Sequence, residues 1–511
     1  MSIAGNDRSD KGTSLVEMAQ DLEQLVQRAA GEGRSLYELE RNVLDSLLKM
    51  GHAAVEQFLV LQGDGDLGDV VSSNEGQTLY RSVQPVARPL RTIFGDHAYA
   101  AFVYRRRKHP NTPIAFRPVD ARMSLGRGRW SPLLEEFTQL FCIEQAFEPA
   151  AEAFCQIFRQ RLSVDTLERV NLRMGTEAAE FQSALAVPAV EDEGALLVLT
   201  ADGKGVPLVR ADAARLRCFE EKPRRPGNRR MATLASVYSV EPHVRTPEQI
   251  VAALFRDVRE EPTDPKPTRP PPQHKRVIAR FPQVLEDIDE NEPISGAIVA
   301  LTWAAQQIEQ RRRAHQPLVR LMDGQLSLWD AADACLAEPP EQETIDILDI
   351  IHVAGYVWRA AKVFHTHREH QEAFAQERLL RILKGQVHGV INGLRRMATR
   401  RQLPGTKRQE IETVCGYFQT HAERMRYDEY LARGFPIATG VIEGACRHLV
   451  KDRMERSGMR WTQVQAQAML DLRAVHQSSY WNAFQQHRLA QAHESTKPYR
   501  TLLAAITPLA G

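Results

Sequence analysis

From residue 194 onward the chain alternates short apolar runs with one long helical pattern, and that order leaves few topologies open. The run from Gly194 to Gly203 ends in Asp202-Gly203, Val206 to Arg210 follows after a tight turn, and Met231 to Val240 gives a third run. Short runs of this kind, bounded by Gly, Asp and Pro, read as strands. A helical pattern from Ile294 to Arg313 then leads to two more such runs, Pro317 to Gly324 and Ile345 to His352. Three strands joined by short turns are antiparallel, whereas a strand–helix–strand unit must cross over and pair in parallel. The expected fold class is α/β: a mixed sheet with helices on its faces, a helical block from Val353 to about Arg433, and a last helix beyond Gly440.

The rest of the chain reads as follows. Residues 1–90 form a helical N-terminal region, with apolar positions at helical spacing from Leu15 to Leu48 and a Gly/Asp/Ser-rich break from Gly63 to Ser73. Residues 91–190 combine alternating strand-like runs with a helical part, in which Ser163 caps a helix carrying Arg169 and Arg173 outward. That junction suits a helix-turn-helix or an ordinary helical hairpin. Residues 191–352 are the first part of the core, interrupted by a proline-rich linker at 262–272. Residues 353–433 are a helical insertion, 434–475 the last core helix, and 476–511 a C-terminal tail.

Charge is balanced, 66 Lys+Arg against 65 Asp+Glu, so any nucleic-acid footprint has to be local. Local excesses exist. The loop Lys222 to Arg230 holds Arg224, Arg225, Arg229 and Arg230, and the helical block carries Arg395 and Arg396 among many basic residues. The six cysteines form no C-x-x-C pair, which argues against a zinc ribbon or a disulfide framework and fits a reducing cytoplasm. No window approaches the ~20 apolar residues a membrane span needs, so a membrane partner is not expected.

Three acids stand out. Asp202 and Asp323 each end a strand-like run and precede glycine, and Glu443 opens a helix followed by Arg447 and Lys451 at i+4 and i+8. Spacings of 323 − 202 = 121 and 443 − 323 = 120 mean that only folding can unite them. Carboxylates at strand ends of an α/β sheet point into the ligand crevice. Converging carboxylates repel unless a divalent cation neutralises them. Mg2+ or Mn2+ suits such oxygen ligands, and two ions about 4 Å apart can serve both the attacking and the leaving oxygen of a phosphate displacement. For any one of these acids a plain turn or cap is the simpler reading.

The segment from Gly434 to Trp461, with its core Gly440-Val-Ile-Glu-Gly-Ala-Cys-Arg-His, resembles the signature of Kra-type insertion-sequence transposases, bacterial DDE enzymes related to the Mutator group. The blocks Val198 to Val206 and Ile347 to Trp358 are similar to that family as well, and the resemblance spans roughly 90–475. It implies an RNase H-like mixed-sheet core with an all-helical insertion and a mostly helical N-terminal DNA-binding region. Asp202, Asp323 and Glu443 would be its catalytic, metal-holding triad. A D-x-x-H element of the Mutator group matches Asp349 and His352, which adds His352 as a catalytic candidate if the strand ends between them.

The implied activity is metal-dependent cleavage at the element's terminal inverted repeats and strand transfer into target DNA, by a dimer or larger assembly. Arg447 and Lys451 would meet phosphates. Relatives commonly carry zinc-type Cys pairs around 104–118; here that stretch, with its basic run Arg105 to Lys108, has no cysteine. Three other readings stay open: a decayed or domesticated DNA-binding protein, a tyrosine recombinase using Arg447 and His448, and a helical interaction protein whose three acids lie far apart.

Overall fold

A computed structural model describes residues 14–126, 128–216, 227–255, 269–283, 294–336 and 342–504. The chain divides into two units, Met1–Val170 with Asn482–Gly511, and Asn171–Trp481.

The first unit opens with α1 (Leu15–Gly31) and α2 (Leu36–Leu61), two helices in contact within the stretch expected to be helical. Ser14 and Ser35 cap them, each accepting from the amide of a glutamate three residues on, Glu17 and Glu38, whose carboxylate bonds back to the cap amide. Six strands follow: β1 (Val70–Ser72), β2 (Thr78–Arg81), β3 (Val86–Thr92), β4 (Gly95–Ala101), β5 (Tyr104–Arg105) and β6 (Ile114–Phe116). β3 and β4 pair as a separate hairpin, while the other four form one sheet in the order β1-β2-β5-β6. β1 falls inside the stretch read as a break, because three residues are too few to show a period and cross-strand pairing alone makes it a strand. Helices α3 (Pro118–Arg122), α4 (Pro132–Glu144), α5 (Phe147–Phe158) and α6 (Val164–Ser183) come next, α6 running on into the second unit. Ser163 Oγ accepts from the Thr166 amide at 3.1 Å, as expected, and Arg169 and Arg173 are exposed.

The second unit holds a five-stranded mixed sheet in the order β11-β10-β7-β8-β9. Its elements in chain order are β7 (Leu196–Pro207), α7 (Arg210–Arg215), β8 (Arg229–Val240), α8 (Pro247–Leu254), β9 (Gln273–Arg280), α9 (Gly296–Arg311), β10 (Leu318–Met322), α10 (Leu326–Cys335) and β11 (Thr344–Leu348). β7, β8 and β9 are antiparallel; β10 pairs in parallel with both β7 and β11. The expected mix is present, with different members. Asp202-Gly203 is not a turn: β7 pairs with β8 without a break from Leu196 to Pro207, and the expected second strand at 206–210 is only its end and the start of α7. The third antiparallel strand is β9, which follows the proline-rich segment; most of that linker lies outside the described residues.

After β11 come five helices and then the last part of the core: α11 (Ile350–Phe364), α12 (Arg368–Leu383), α13 (Val387–Arg400), α14 (Gly405–Thr420), α15 (Tyr427–Ala432), α16 (Gly440–Ala445), a π-helical turn (Cys446–Lys451), α17 (Asp452–Met454) and α18 (Gln463–Gln477). The stretch expected to be a C-terminal tail is itself helical, with α19 (Trp481–Glu494) and α20 (Arg500–Ala504). Arg488 of α19 pairs with Glu135 of α4 at 2.7 Å. Among the described residues no helix is long and apolar enough to cross a membrane.

The period of two along the central strands divides the core between the sheet's faces. Leu196, Val198, Val319, Leu321, Ile345 and Ile347 pack against α11 to α14. Leu197, Leu199, Ala201, Leu318 and Met322 pack against α9 and α10. Each such side chain contributes about 1.5–3 kcal/mol when fully buried, so a one-residue slip would exchange both cores.

Candidate active site

The register of the parallel strands aligns the acids. Leu318 lies opposite Leu197, an offset of 318 − 197 = 121, and Asp323 and Asp202 differ by the same 121. Thr344 lies opposite Leu318, an offset of 344 − 318 = 26, and Asp349 and Asp323 differ by the same 26. The ladder continues beyond β11, since the Asp349 amide donates to the Met322 carbonyl at 2.9 Å. Continued past the strand ends, that register puts Asp202, Asp323 and Asp349 at corresponding positions, and the charges of Asp202 and Asp349 both act on Asp323. Their parity matches that of Val198, Val319 and Ile347, so all three belong to the face that carries the helical block.

Asp349 is fully buried and completely bonded. Oδ1 accepts from the Thr439 amide at 3.0 Å; Oδ2 accepts from the His352 amide at 3.1 Å and lies 2.7 Å from His352 Nδ1. The strand does end between Asp349 and His352: Asp349 caps α11 and His352 sits in its first turn. One carboxylate thus fixes the imidazole on one side and the entry to α16, through Thr439, on the other. The Ile350 amide adds a bond to the Ile437 carbonyl at 2.9 Å. Glu443 follows on α16, and the ligand atoms of Asp349, His352 and Glu443 lie within 4.8 Å of one another. Thr439 Oγ1 donates to Glu443 Oε1 at 3.4 Å.

Electrostatics carry the mark of an acid cluster. Burial raises the Asp323 pKa, and the nearby Asp202 and Asp349 charges raise it further, against a bond from the Gln325 amide and the His352 charge. The Asp349 hydrogen bond raises the His352 pKa against its partial burial, with Asp349, Asp323 and Glu443 adding to the rise. Cys446 Sγ donates to Asp202 Oδ2 at 3.2 Å, and burial followed by the Asp202 charge pushes that thiol far up. It is a neutral donor.

Glycine after Asp323 has a steric cause: a Cβ on Gly324 would lie 2.3 Å from the Tyr417 ring of α14, which closes over this loop. Sequence reasoning missed Cys446 and Lys204. Lys204 is two residues beyond Asp202 on β7, hence on the same face, and the period of two was the available signal.

The expected straight stripe of Glu443, Arg447 and Lys451 is not formed in that way. All three are exposed, but Cys446–Lys451 is a π-turn, whose wider winding breaks the i+8 alignment. Buried Arg473 on α18 donates to the Leu449 carbonyl at 2.9 Å and to the His448 carbonyl, holding carbonyls within the π-turn. Arg447 is 71 % exposed at its side chain.

Arg230 is no surface contact: it is 4 % exposed and donates to the carbonyls of Ala213, Gly227 and Arg229. Arg229 pairs with Glu455 at 2.6 Å and stays half-exposed. Arg224 and Arg225 lie outside the described residues. In the helical block Arg395 pairs with Glu412 and Arg396 is exposed, while Arg359, Arg378, Arg381 and Lys384 are engaged by glutamates. The basic excess there is smaller than the composition implies. Trp461 is buried, its indole donating to the Met454 carbonyl, so it is core.

No protein-family model matches this chain, and no curated protein matches it.

Proposed function

We propose that the protein is a DNA transposase of the DDE type, with an RNase H-like core. Support for the fold comes from three antiparallel strands followed by two parallel ones, with a helical insertion between β11 and the Glu443 helix. The activity rests on one observation: Asp323, just past the end of β10, feels the charges of both Asp202 and Asp349, and Asp349 gathers His352 and Glu443 beside it. An interaction protein with three unrelated surface turns would not place them so.

The donor set fits Mg2+ or Mn2+, being mostly carboxylate oxygen, with the charges of Asp202 and Asp349 near a partly buried Asp323. Asp202, Asp323 and Glu443 would hold the ions, two in number, which when bound supply charge neutralisation at the phosphate and activation of the attacking oxygen. Asp349 is a positioning residue, since its oxygens are already occupied. His352, with Nδ1 turned to Asp349, presents Nε2 to a phosphate oxygen or an attacking hydroxyl. Lys204, Arg447 and Lys451 neutralise DNA phosphates beside the site and set register without reading bases. The substrate is the element's terminal inverted repeat, then target DNA, and joining two ends calls for a dimer or larger assembly.

The test is cleavage of a labelled duplex carrying the terminal repeat, with Mg2+ or Mn2+, by the wild type and by Glu443→Gln. Metal-dependent nicking that disappears in the variant is expected. Binding without cleavage by either protein would replace this reading with that of a DNA-binding protein derived from a transposase. A covalent protein–DNA adduct formed in EDTA would point to a tyrosine recombinase.

A further inference from the structure

A second cluster of side chains that could hold a metal ion lies in the first unit. His52 and Glu56 occupy successive turns of α2, and His97 stands on β4. Their ligand atoms lie within 4.8 Å of one another. His52 Nε2 is 3.4 Å from Glu56 Oε1, and His97 Nδ1 is 3.8 Å from the same oxygen. Metal bonds of about 2.0–2.2 Å in tetrahedral geometry put neighbouring ligand atoms about 3.3–3.5 Å apart. One pair already has that spacing, and the other is a few tenths of an ångström wide.

The ring orientation suits a metal ligand. His52 Nδ1 lies 3.2 Å from the Phe94 carbonyl, which can only accept, so Nδ1 carries a hydrogen and Nε2 is the nitrogen turned to Glu56. Metal-bound histidines make this same outer bond. His97 is 4 % exposed, its Nε2 is 3.1 Å from Thr92 Oγ1, and its Nδ1 is buried with no hydrogen-bond partner. His52 Nε2 and His97 Nδ1 thus converge on one carboxylate oxygen, Glu56 Oε1. Gly95, at φ +127°, leaves room for the arrangement: a Cβ there would lie 3.2 Å from His52 Nδ1.

We propose that His52 Nε2, Glu56 Oε1 and His97 Nδ1 bind a divalent transition metal of the Zn2+ class, fastening α2 to the β3–β4 hairpin, with a fourth position left to water. The two imidazoles are stacked, centroids 4.3 Å apart and planes at 19°, so binding turns the half-exposed His52 ring toward the ion.

The test titrates the metal-free, full-length protein with Co2+, followed by its visible absorption, and then displaces Co2+ with Zn2+. One equivalent with a tetrahedral spectrum is expected. His52→Gln and Glu56→Gln, both at the surface of α2, should weaken binding by more than the roughly 10–100-fold that loss of an outer partner costs, with unchanged circular dichroism. Glu443→Gln should bind as the wild type does, which separates this site from the acid cluster. No tetrahedral Co2+ spectrum, a spectrum retained in His52→Gln, or one lost in Glu443→Gln would each overturn the proposal.

Discussion

Replacing Asp349 by Asn tests whether one buried carboxylate organises the site. The variant is nearly isosteric, so no cavity complicates the result. The wild-type carboxylate faces three N–H groups, from Thr439, from the His352 amide and from the His352 ring. An amide keeps one acceptor and turns an NH2 toward the remaining donors. A hydrogen bond to a charged group is worth about 1.5–3 kcal/mol, and the half-exposed His352 ring sits at the low end, so the loss should be about 2–4 kcal/mol. Unfolding entropy of about 2.1 cal/mol/K per residue, over the roughly 311 residues of the second unit, turns 3 kcal/mol into a fall in Tm of about 4–5 °C.

The pH dependence has a definite sign. The His352 pKa is raised in the folded state, so its pairing stabilises fully below the unfolded value and is lost as pH rises through the folded one. The deficit of Asp349→Asn should therefore be larger at pH 6 than at pH 9 (both about), and the His352 ring should titrate lower in the variant. Calorimetry at the two pH values and a proton NMR titration of the histidines measure both. An unchanged Tm together with an unchanged His352 titration would refute the reasoning.

Other expectations follow from the same geometry. Asp323→Asn removes an acid whose pKa is raised by burial and by like charges, a group that weakens the fold as pH rises through its titration, so the variant should melt higher than the wild type at neutral pH without divalent metal. It should also lose the rise in Tm that Mg2+ gives the wild type, which thermal scans with and without Mg2+ would show. Gly324→Ala drives a methyl into Tyr417 and should cost about 1–3 kcal/mol in urea unfolding, recovered in part by a second change, Tyr417→Val. Arg447→Ala and Lys451→Ala should each lower the salt slope of DNA binding by about 1. Arg230→Ala should lower stability and leave that slope alone, because its guanidinium is buried and bonded to the carbonyls of Ala213, Gly227 and Arg229.

Much of this was legible in the residues because it is local or periodic. Helix caps at Ser14, Ser35 and Ser163 follow from short-range hydrogen bonding, and the apolar runs around Val198, Val319 and Ile347 mark strands buried in a sheet. Asp202, Asp323 and Glu443 were visible as acids in distinctive settings. Other features depend on partners far away in the chain. Asp202-Gly203 has the composition of a turn, yet β8 pairs straight across it, since a ladder of backbone bonds outweighs the turn preference of two residues. Arg230 reads as part of a basic loop until the fold places backbone carbonyls around it.

The sequence by itself determined the longer helices, the apolar runs of the central strands and which acids stand in distinctive settings, because periodicity and side-chain identity are local properties. Only the tertiary structure decided that Asp202 and Asp349 come near enough for their charges to act on Asp323, that Asp349 binds both His352 and Thr439, and that His97 comes within 3.8 Å of Glu56. Strand register and helix docking are set by the whole buried surface, and no short stretch of sequence contains that information.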